Sequence, residues 1–466
     1  MPTAEDAENA ADMADMADMA DIYQRPAELL QRLIRFDTTN PPGNEGQCVA
    51  YIRDLLAAAG IESRILARDP ARPNLLARLP GAGDAPPLLL CGHVDVVPVT
   101  HQEWTHPPFA GEEASGYIWG RGAIDMKGEV AMFLAAFLRA KVEEAHLPGD
   151  VLLLILSDEE AGGEYGAGYL TREHRDLFDG VRFALGELGG FTSYLGPHRF
   201  YPIMVAEKQS CVVRTTLRGP GGHASLPARG GAAARLGRML TTLDRRRLPV
   251  HITPAAAEMI AAIAGALQPA SSMLLRRLLN PALTNSVLAL LGPAGASFDP
   301  LLHNTVNATI ISGGEKDNVI PSAITVEMDG RILPGQTPDD LLRELRALLG
   351  PDVEMEIVHA DTYKAAAPDI GLFETLAGIL READPGGIPI PLLLAAVTDA
   401  RFFTRIGIQT YGFTPMNLPR ELNFTALLHA ADERVPVAAL SFGADAVYQA
   451  LQRFGASSDS QGRPAS

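Results

Sequence analysis

The sequence predicts an α/β protein: a mixed, mainly parallel sheet flanked by helices, carrying an inserted smaller domain of two-layer α+β type. Three observations predict it. First, three apolar runs, Leu88 to Cys91, Val151 to Leu156 and Val181 to Leu185, are each bounded by turn residues. That is the pattern of strands buried on both faces of a parallel sheet. Second, the stretches between them have helical apolar spacing, and alternating helices and buried strands imply α/β layering. Third, the pattern changes near Lys208, where Cys211, Val213, Thr215 and Leu217 alternate with Val212, Arg214 and Thr216 as in a half-exposed strand. The apolar runs stop at residues capable of chemistry: His93 and Asp95, then Asp158, Glu159 and Glu160, then Glu187. In open α/β sheets the chemistry lies just beyond the carboxyl ends of such strands. Two adjacent carboxylates there repel each other and need a cation or a shared proton. Glu159-Glu160 therefore reads as the centre of a metal site.

In chain order, a helix is expected from about Ala27 to Phe36, a turn-rich loop over Thr38 to Gly43, and a second helix from about Glu45 to Ala59 stopped by Gly60. Strands follow at Asn74 to Leu79 and Pro87 to Cys91, then a helix over Lys127 to Lys141 with a small apolar inward face. In the inserted part, strand Ser210 to Leu217 leads through the glycine-rich loop Gly219 to Ser225 into a helix ending near Leu243. Ile252 to Ser297 is an Ala/Leu-rich helical insertion. Strands Asn307 to Ser312 and Ala323 to Leu333, a helix Pro338 to Leu349 and a strand Val353 to His359 complete an antiparallel sheet with one covered face. After Ala365 the α/β pattern returns, with a helix through Ala383, strands at Pro391 to Ala395 and Gln409 to Phe413, and a last helix Ala438 to Phe454. The expected domains are a disordered leader 1–24, a catalytic domain in two parts, 25–207 and 363–455, an inserted lid or dimerisation domain 208–362, and a disordered tail 456–466.

The 466 residues suffice for two large domains or about three of ~150 residues. A formal net charge of -17 disfavours nucleic acid and anionic membrane surfaces as partners. No apolar stretch approaches the ~20 residues that span a bilayer. The acidic Ala-Asp-Met repeats of the first 21 residues lack the basic and apolar regions of a signal peptide. Three cysteines, Cys48, Cys91 and Cys211, form no CxxC and are odd in number, which points to a reducing, cytoplasmic setting. Cys91 shares strand parity with His93 but reads as a packed core thiol.

The blocks Gly92-His93-Val94-Asp95-Val96-Val97-Pro98, Gly120-Arg121-Gly122-Ala123-Ile124-Asp125-Met126-Lys127-Gly128 and Ser157-Asp158-Glu159-Glu160 resemble the signature blocks of the M20 metallopeptidase family. That family includes acetylornithine deacetylase, succinyl-diaminopimelate desuccinylase, aminoacylase-1 and glutamate carboxypeptidase. The likeness continues through Gly222-His223-Ala224-Ser225, Asn318-Val319-Ile320-Pro321, Arg331-Ile332-Leu333-Pro334-Gly335, Thr398-Asp399-Ala400-Arg401 and His429-Ala430-Ala431-Asp432-Glu433, from about residue 25 to 455. The resemblance implies a zinc-peptidase-like catalytic domain and hydrolysis of an amide bond in short peptides or N-acyl amino acids through a metal-bridging hydroxide. Two Zn2+ ions, with Co2+ or Mn2+ as substitutes, would be bridged by Asp125, with Glu160 and His429 completing one and His93 and Glu187 the other. Asp95 would accept the second N–H of the His93 ring and fix its tautomer. Glu159 would be the general base. The peptide after the bridging aspartate is commonly cis in this family, which here is Asp125-Met126.

His223 stands apart from these ligands. By itself it reads as an exposed loop histidine; the resemblance makes it an oxyanion-stabilising residue reaching the partner subunit's site in a homodimer formed through the inserted domain. Asn318 and Arg331 fit binding of a substrate carbonyl or carboxylate, with a structural salt bridge as the competing role for Arg331. Asp399 and Arg401 either line the site or support it. A catalytically silent metal-binding scaffold is the alternative from another class. It would normally have lost the base or a ligand, and here every candidate is present. The expected substrate is a small molecule or short peptide, and its identity is not legible.

Overall fold

A computed structural model describes residues 21–226, 228–351, 353–361 and 368–455. The chain divides into two compact units. One comprises residues 1–205, 369–391 and 398–466, and the other residues 206–368 and 392–397. The expected leader up to residue 20 and the tail 456–466 lie outside the described residues. Residues 22–24, assigned from sequence to the disordered leader, instead form a turn of 3-10 helix with Ile22 fully buried.

The first unit is built on a sheet whose order is Ser63–Leu66, Asn74–Leu79, Val151–Leu156, Leu88–His93, Phe183–Gly186, Gln409–Gly412, His198–Glu207 and Gly387–Leu394, with Ser193–Leu195 pairing onto His198–Glu207. Its four middle strands, Val151–Leu156 to Gln409–Gly412, are mutually parallel, and the strands flanking them are antiparallel. Leu88–His93 and Val151–Leu156 are buried at every position, which is why their sequences are uninterrupted apolar runs. Because the four run in one direction, their carboxyl ends share one edge of the sheet. Strand His198–Glu207 is not expected from the sequence, where Pro202 interrupts the run. The strand expected from Pro391 already begins at Gly387.

Helix Lys127–Val142 packs against Val437–Arg453 and Pro26–Ile34. Thirteen of its residues are buried, so it is covered nearly all round rather than on one small face. Lys127 is among them, its ammonium donating to the Phe36 carbonyl at 2.7 Å. Helix Pro26–Ile34 has proline in its first turn, where no intrahelical donor is needed.

The second unit holds a four-stranded antiparallel sheet in the order Thr305–Ser312, Ala323–Ile332, Gln209–Arg218, Glu354–Ala360. Strand Gln209–Arg218 alternates buried with half-exposed residues as its sequence predicts. Its inward residues Cys211, Val213 and Leu217 join Met239 of helix Ala232–Arg245 and Leu341 and Leu345 of helix Pro338–Leu349 in one apolar cluster. The latter helix starts in a capping box: Asp340 N–H donates to Thr337 Oγ1 and Thr337 N–H to Asp340 Oδ2. The Ala/Leu-rich stretch forms helices Pro254–Ala266, Pro269–Arg276, Thr284–Leu291 and Pro293–Ala296. Three of the four open on a proline, so prolines that would break one long helix mark the starts of several short ones.

Candidate metal centre

The carboxyl ends of the parallel strands converge on a group of buried and half-buried acids and two imidazoles, one of them buried, all within the first unit. His93 closes strand Leu88–His93 and is 1% exposed. Its Nδ1 lies 2.9 Å from the Asp95 backbone carbonyl and 3.4 Å from Asp95 Oδ1. A carbonyl only accepts, so Nδ1 carries a proton and donates it there, and Nε2 faces the carboxylates of Asp125 and Glu187. The closer partner is thus the backbone of Asp95 rather than the carboxylate expected from the sequence. The carboxylate is committed elsewhere. Asp95 Oδ1 accepts the Glu159 N–H at 3.1 Å, and Oδ2 accepts the Glu160 N–H at 3.1 Å and Asn40 Nδ2 at 2.8 Å.

Behind Asp95 lies a buried polar network that the sequence reading missed. Asn40 Nδ2 also donates to Asp158 Oδ1 at 3.2 Å, and Arg72 bridges Asp158 (2.8 Å) and Glu45 (2.7 Å). Asn40 sits in the Thr38–Gly43 loop, which reads only as a turn. The one available signal was a polar Thr-Thr-Asn stretch at a loop that must contact the sheet end. Asp158 takes a left-handed φ of 74°, turning the chain out of strand Val151–Leu156 into the short turn Glu159–Ala161.

Asp125 presents one oxygen to each imidazole. Its Oδ1 is 3.3 Å from His93 Nε2 and its Oδ2 is 3.2 Å from His429 Nε2. Glu187 Oε2 is 3.7 Å from His93 Nε2, and Glu160 Oε2 is 3.3 Å from His429 Nε2. The Asp125-Met126 peptide is cis. Two compact sets emerge, His93 with Asp125 and Glu160, and His93 with Glu159 and Glu187; in each, one donor atom per residue lies within 4.8 Å of the others. His429, half exposed, joins the first through Asp125 and Glu160. Glu159 Oε1 stands 3.9 Å from Arg401 Nη1.

These separations test whether a metal fits. Two N or O atoms bound to one tetrahedral zinc at about 2.0–2.2 Å lie roughly 3.3–3.6 Å apart. The four imidazole–carboxylate distances span 3.2 to 3.7 Å, at or beyond the long end of N–H···O bonds. His93 Nε2 and Glu160 Oε1 are buried without a hydrogen-bond partner among the described residues. The donor set, nitrogen and carboxylate oxygen, suits zinc and similar divalent ions.

The electrostatics agree. Burial, then repulsion from Glu187, pushes Glu159 well above the carboxylate range, and burial likewise raises Glu160 and Glu187. Burial opposes charge on Asp125 as well, yet His429 and His93 beside it hold it below the usual range. Burial works against the His93 imidazolium too, but Asp125, Asp95 and Glu187 outweigh it and raise its pKa. His429 is raised to about 10 by Asp125 and Glu160. Burial also lifts Asp399 to about 7, and neither of its oxygens has a hydrogen-bond partner among the described residues. More negative charge is gathered here than two imidazoles can neutralise, an imbalance that a cation removes.

His223, Asn318 and Arg331 belong to the second unit. His223 pairs with Val319 across a two-residue ladder, and Ala224 N–H donates to the Asn318 carbonyl at 3.0 Å, so these two loops are adjacent. Arg331 lies on strand Ala323–Ile332 with Asp329 Oδ2 accepting from its Nε and Nη2.

Comparison with known proteins follows the same lines. The profile of Peptidase family M20/M25/M40 matches residues 89–453. The chain is 27% identical over 434 residues to aminoacylase-1 of Sus scrofa, covering 91% of this chain and 93% of that protein. It is 30% identical over 425 residues to succinyl-diaminopimelate desuccinylase of Paracoccus denitrificans (strain Pd 1222), covering 88% and 93%. Among solved structures, the M20 family metallo-carboxypeptidase Sso-CP2 from Sulfolobus solfataricus shares the fold, with a TM-score of 0.66 at 16% identity over 92% of this chain and 99% of that one. The chain belongs to peptidase family M20/M25/M40 and is one of its hydrolases of amide bonds.

Proposed function

We propose that this hydrolase uses two zinc ions to cleave an amide bond in a short peptide or an N-acyl amino acid. The observation that carries this reading is Asp125, whose two oxygens face two different imidazoles at 3.3 and 3.2 Å. His93 and Glu187 would hold one ion, His429 and Glu160 the other, and Asp125 both. When bound, the ions would activate water at neutral pH and polarise the scissile carbonyl. Glu159 takes a proton from the attacking water and returns it to the leaving amine. The raised pKa of Glu159 in the metal-free protein supports a group able to carry that proton. Asp95 holds the backbone of Glu159 and Glu160 and so fixes the base relative to the ligand beside it.

His223 stabilises the tetrahedral oxyanion in the partner subunit's site. Its Nδ1 accepts from Ser225 N–H at 3.3 Å and lies 2.7 Å from Ser225 Oγ, which leaves the proton on Nε2, free to donate. A homodimer through the inserted domain is supported by the edge strand Thr305–Ser312, whose Ile310 and Ile311 are 54% and 52% exposed. Asn318 and Arg331 bind the substrate's polar end, with Asp329 orienting the Arg331 guanidinium. Three buried free thiols support action in the reducing cytoplasm. The reading is tested by elemental analysis together with release of free amine from dipeptides and from N-acetyl, N-succinyl and N-carbamoyl amino acids. Two zinc ions per chain and turnover in one of these classes are expected. A metal-replete protein inert toward all of them would favour a silent scaffold.

A further inference from the structure

Two residues of the signature blocks have no role in the mechanism above. Arg121 and Glu433 are buried, with side chains 1% and 0% exposed, and form an ion pair of 2.6 Å between Nη1 and Oε2. The pair stands between two loops that each deliver a candidate ligand. On one side, Glu433 Oε1 accepts the N–H of Ile124 at 2.8 Å, the residue immediately before Asp125. On the other, Arg121 donates from Nη1 to the Ala430 carbonyl at 3.2 Å and from Nη2 to the His429 carbonyl at 3.3 Å. Nη2 also donates to Gln102 Oε1 at 2.8 Å, and Gln102 Nε2 donates to the same His429 carbonyl at 2.8 Å. All four N–H groups of the terminal guanidinium nitrogens are thereby used. His429 itself has φ 59°, a conformation that a side chain disfavours and that persists where the surroundings enforce it.

We infer that Arg121 and Glu433 are positioning residues that lock the His429 loop to the Asp125 loop and so set the affinity of the metal position served by His429 and Glu160. This rests on the dinuclear reading. A buried ion pair is weak ground for stability, since apolar residues of similar volume serve that purpose as well. What an apolar pair cannot do is hold the His429 carbonyl and the Ile124 amide in fixed register. A lysine cannot do it either, because a point charge lacks the planar fork.

The test titrates zinc calorimetrically into metal-stripped, full-length wild type and three variants: Arg121→Met/Glu433→Leu, Arg121→Lys and Gln102→Ala. In the double variant the first ion should bind as in wild type and the second about 10–100-fold more weakly, the usual effect of losing a partner that orients a ligand. The thermal midpoint of the metal-free protein should stay close to that of wild type. Arg121→Lys should not restore the second ion. Gln102→Ala, which removes only one of two donors to the His429 carbonyl, should weaken it less, and it carries the test by itself if the double variant does not fold. Wild-type affinity for both ions in the variants, or equal weakening of both, overturns the inference while leaving two zinc ions in the wild type intact. A wild type that binds a single ion defeats the dinuclear reading first and this inference with it.

Discussion

Glu159 and Glu160 donate their backbone N–H groups to opposite oxygens of Asp95, so one buried carboxylate orients two neighbours given different tasks. If Glu159 is the base and not a ligand, Glu159→Gln should keep both metals by elemental analysis and lose about 10²–10⁴-fold in kcat; near-wild-type turnover in the metal-replete variant would end that assignment. Asp125→Ala should lose metal content itself, and two ions retained without Asp125 would contradict the bridge. A pH dependence follows from His429, raised from 6.5 to about 10 in the metal-free protein by Asp125 and Glu160. Its protonated form is favoured in the fold, so its contribution to stability is full below about pH 6.5 and is lost as pH rises through about 10. A metal needs the neutral ring and must displace that proton. Apparent zinc affinity should therefore rise from pH 7 to 9, with proton release on binding seen as a difference between calorimetric heats in buffers of unequal ionisation enthalpy. Binding heats and affinities independent of buffer and pH would remove His429 from the ligand set.

At the scale of elements, the site depends on strand ends being held together from behind. Arg72 ties Glu45, which precedes helix Gly46–Ala58, to Asp158, which follows strand Val151–Leu156, and the three side chains are 9%, 0% and 3% exposed. Removing one partner of a buried network leaves uncompensated charge, so Arg72→Met should destabilise the protein by about 3–5 kcal/mol, measured as a lower urea midpoint. A loss within experimental error would mean that Glu45 and Asp158 find other partners or take up protons. Helix Lys127–Val142, buried nearly all round, plays the corresponding part for Asp125, since its first turn follows directly from the Gly120–Met126 loop.

At the scale of the whole molecule, the residues proposed to handle substrate are divided between two units. Sharing of sites across a dimer is tested by mixing inactive Glu159→Gln subunits with inactive His223→Ala subunits under exchange conditions. One competent site per mixed dimer should return. If the subunits demonstrably exchange and no activity appears, His223 does not act in trans. If the proposed dimer forms through edge strand Thr305–Ser312, replacing its exposed Ile310 and Ile311 by lysine should shift the protein from dimer to monomer in sedimentation, and an unchanged sedimentation coefficient would remove that edge from the interface.

The parallel core was legible because burial on both faces leaves a strand no polar position: Val151–Leu156 and Leu88–His93 are apolar until the chain leaves the sheet, and the residues at which they stop are the acids and imidazole of the site. The alternation of Gln209–Arg218 was equally plain, since one covered face imposes a period of two. By itself the sequence thus determined the buried parallel strands Leu88–His93 and Val151–Leu156, the alternating strand Gln209–Arg218, the order of motifs and the ligand candidates. Strand His198–Glu207, broken by Pro202, was hidden because strand pairing can override local propensity. Only the tertiary structure decided that Asp95 uses its carbonyl for His93 and its carboxylate for two backbone amides, that Asn40 and Arg72 stand behind it, and that Arg121 reaches the His429 carbonyl 308 positions away. These are contacts between residues far apart in the chain, and no periodicity or spacing records which of several polar partners a buried group will choose.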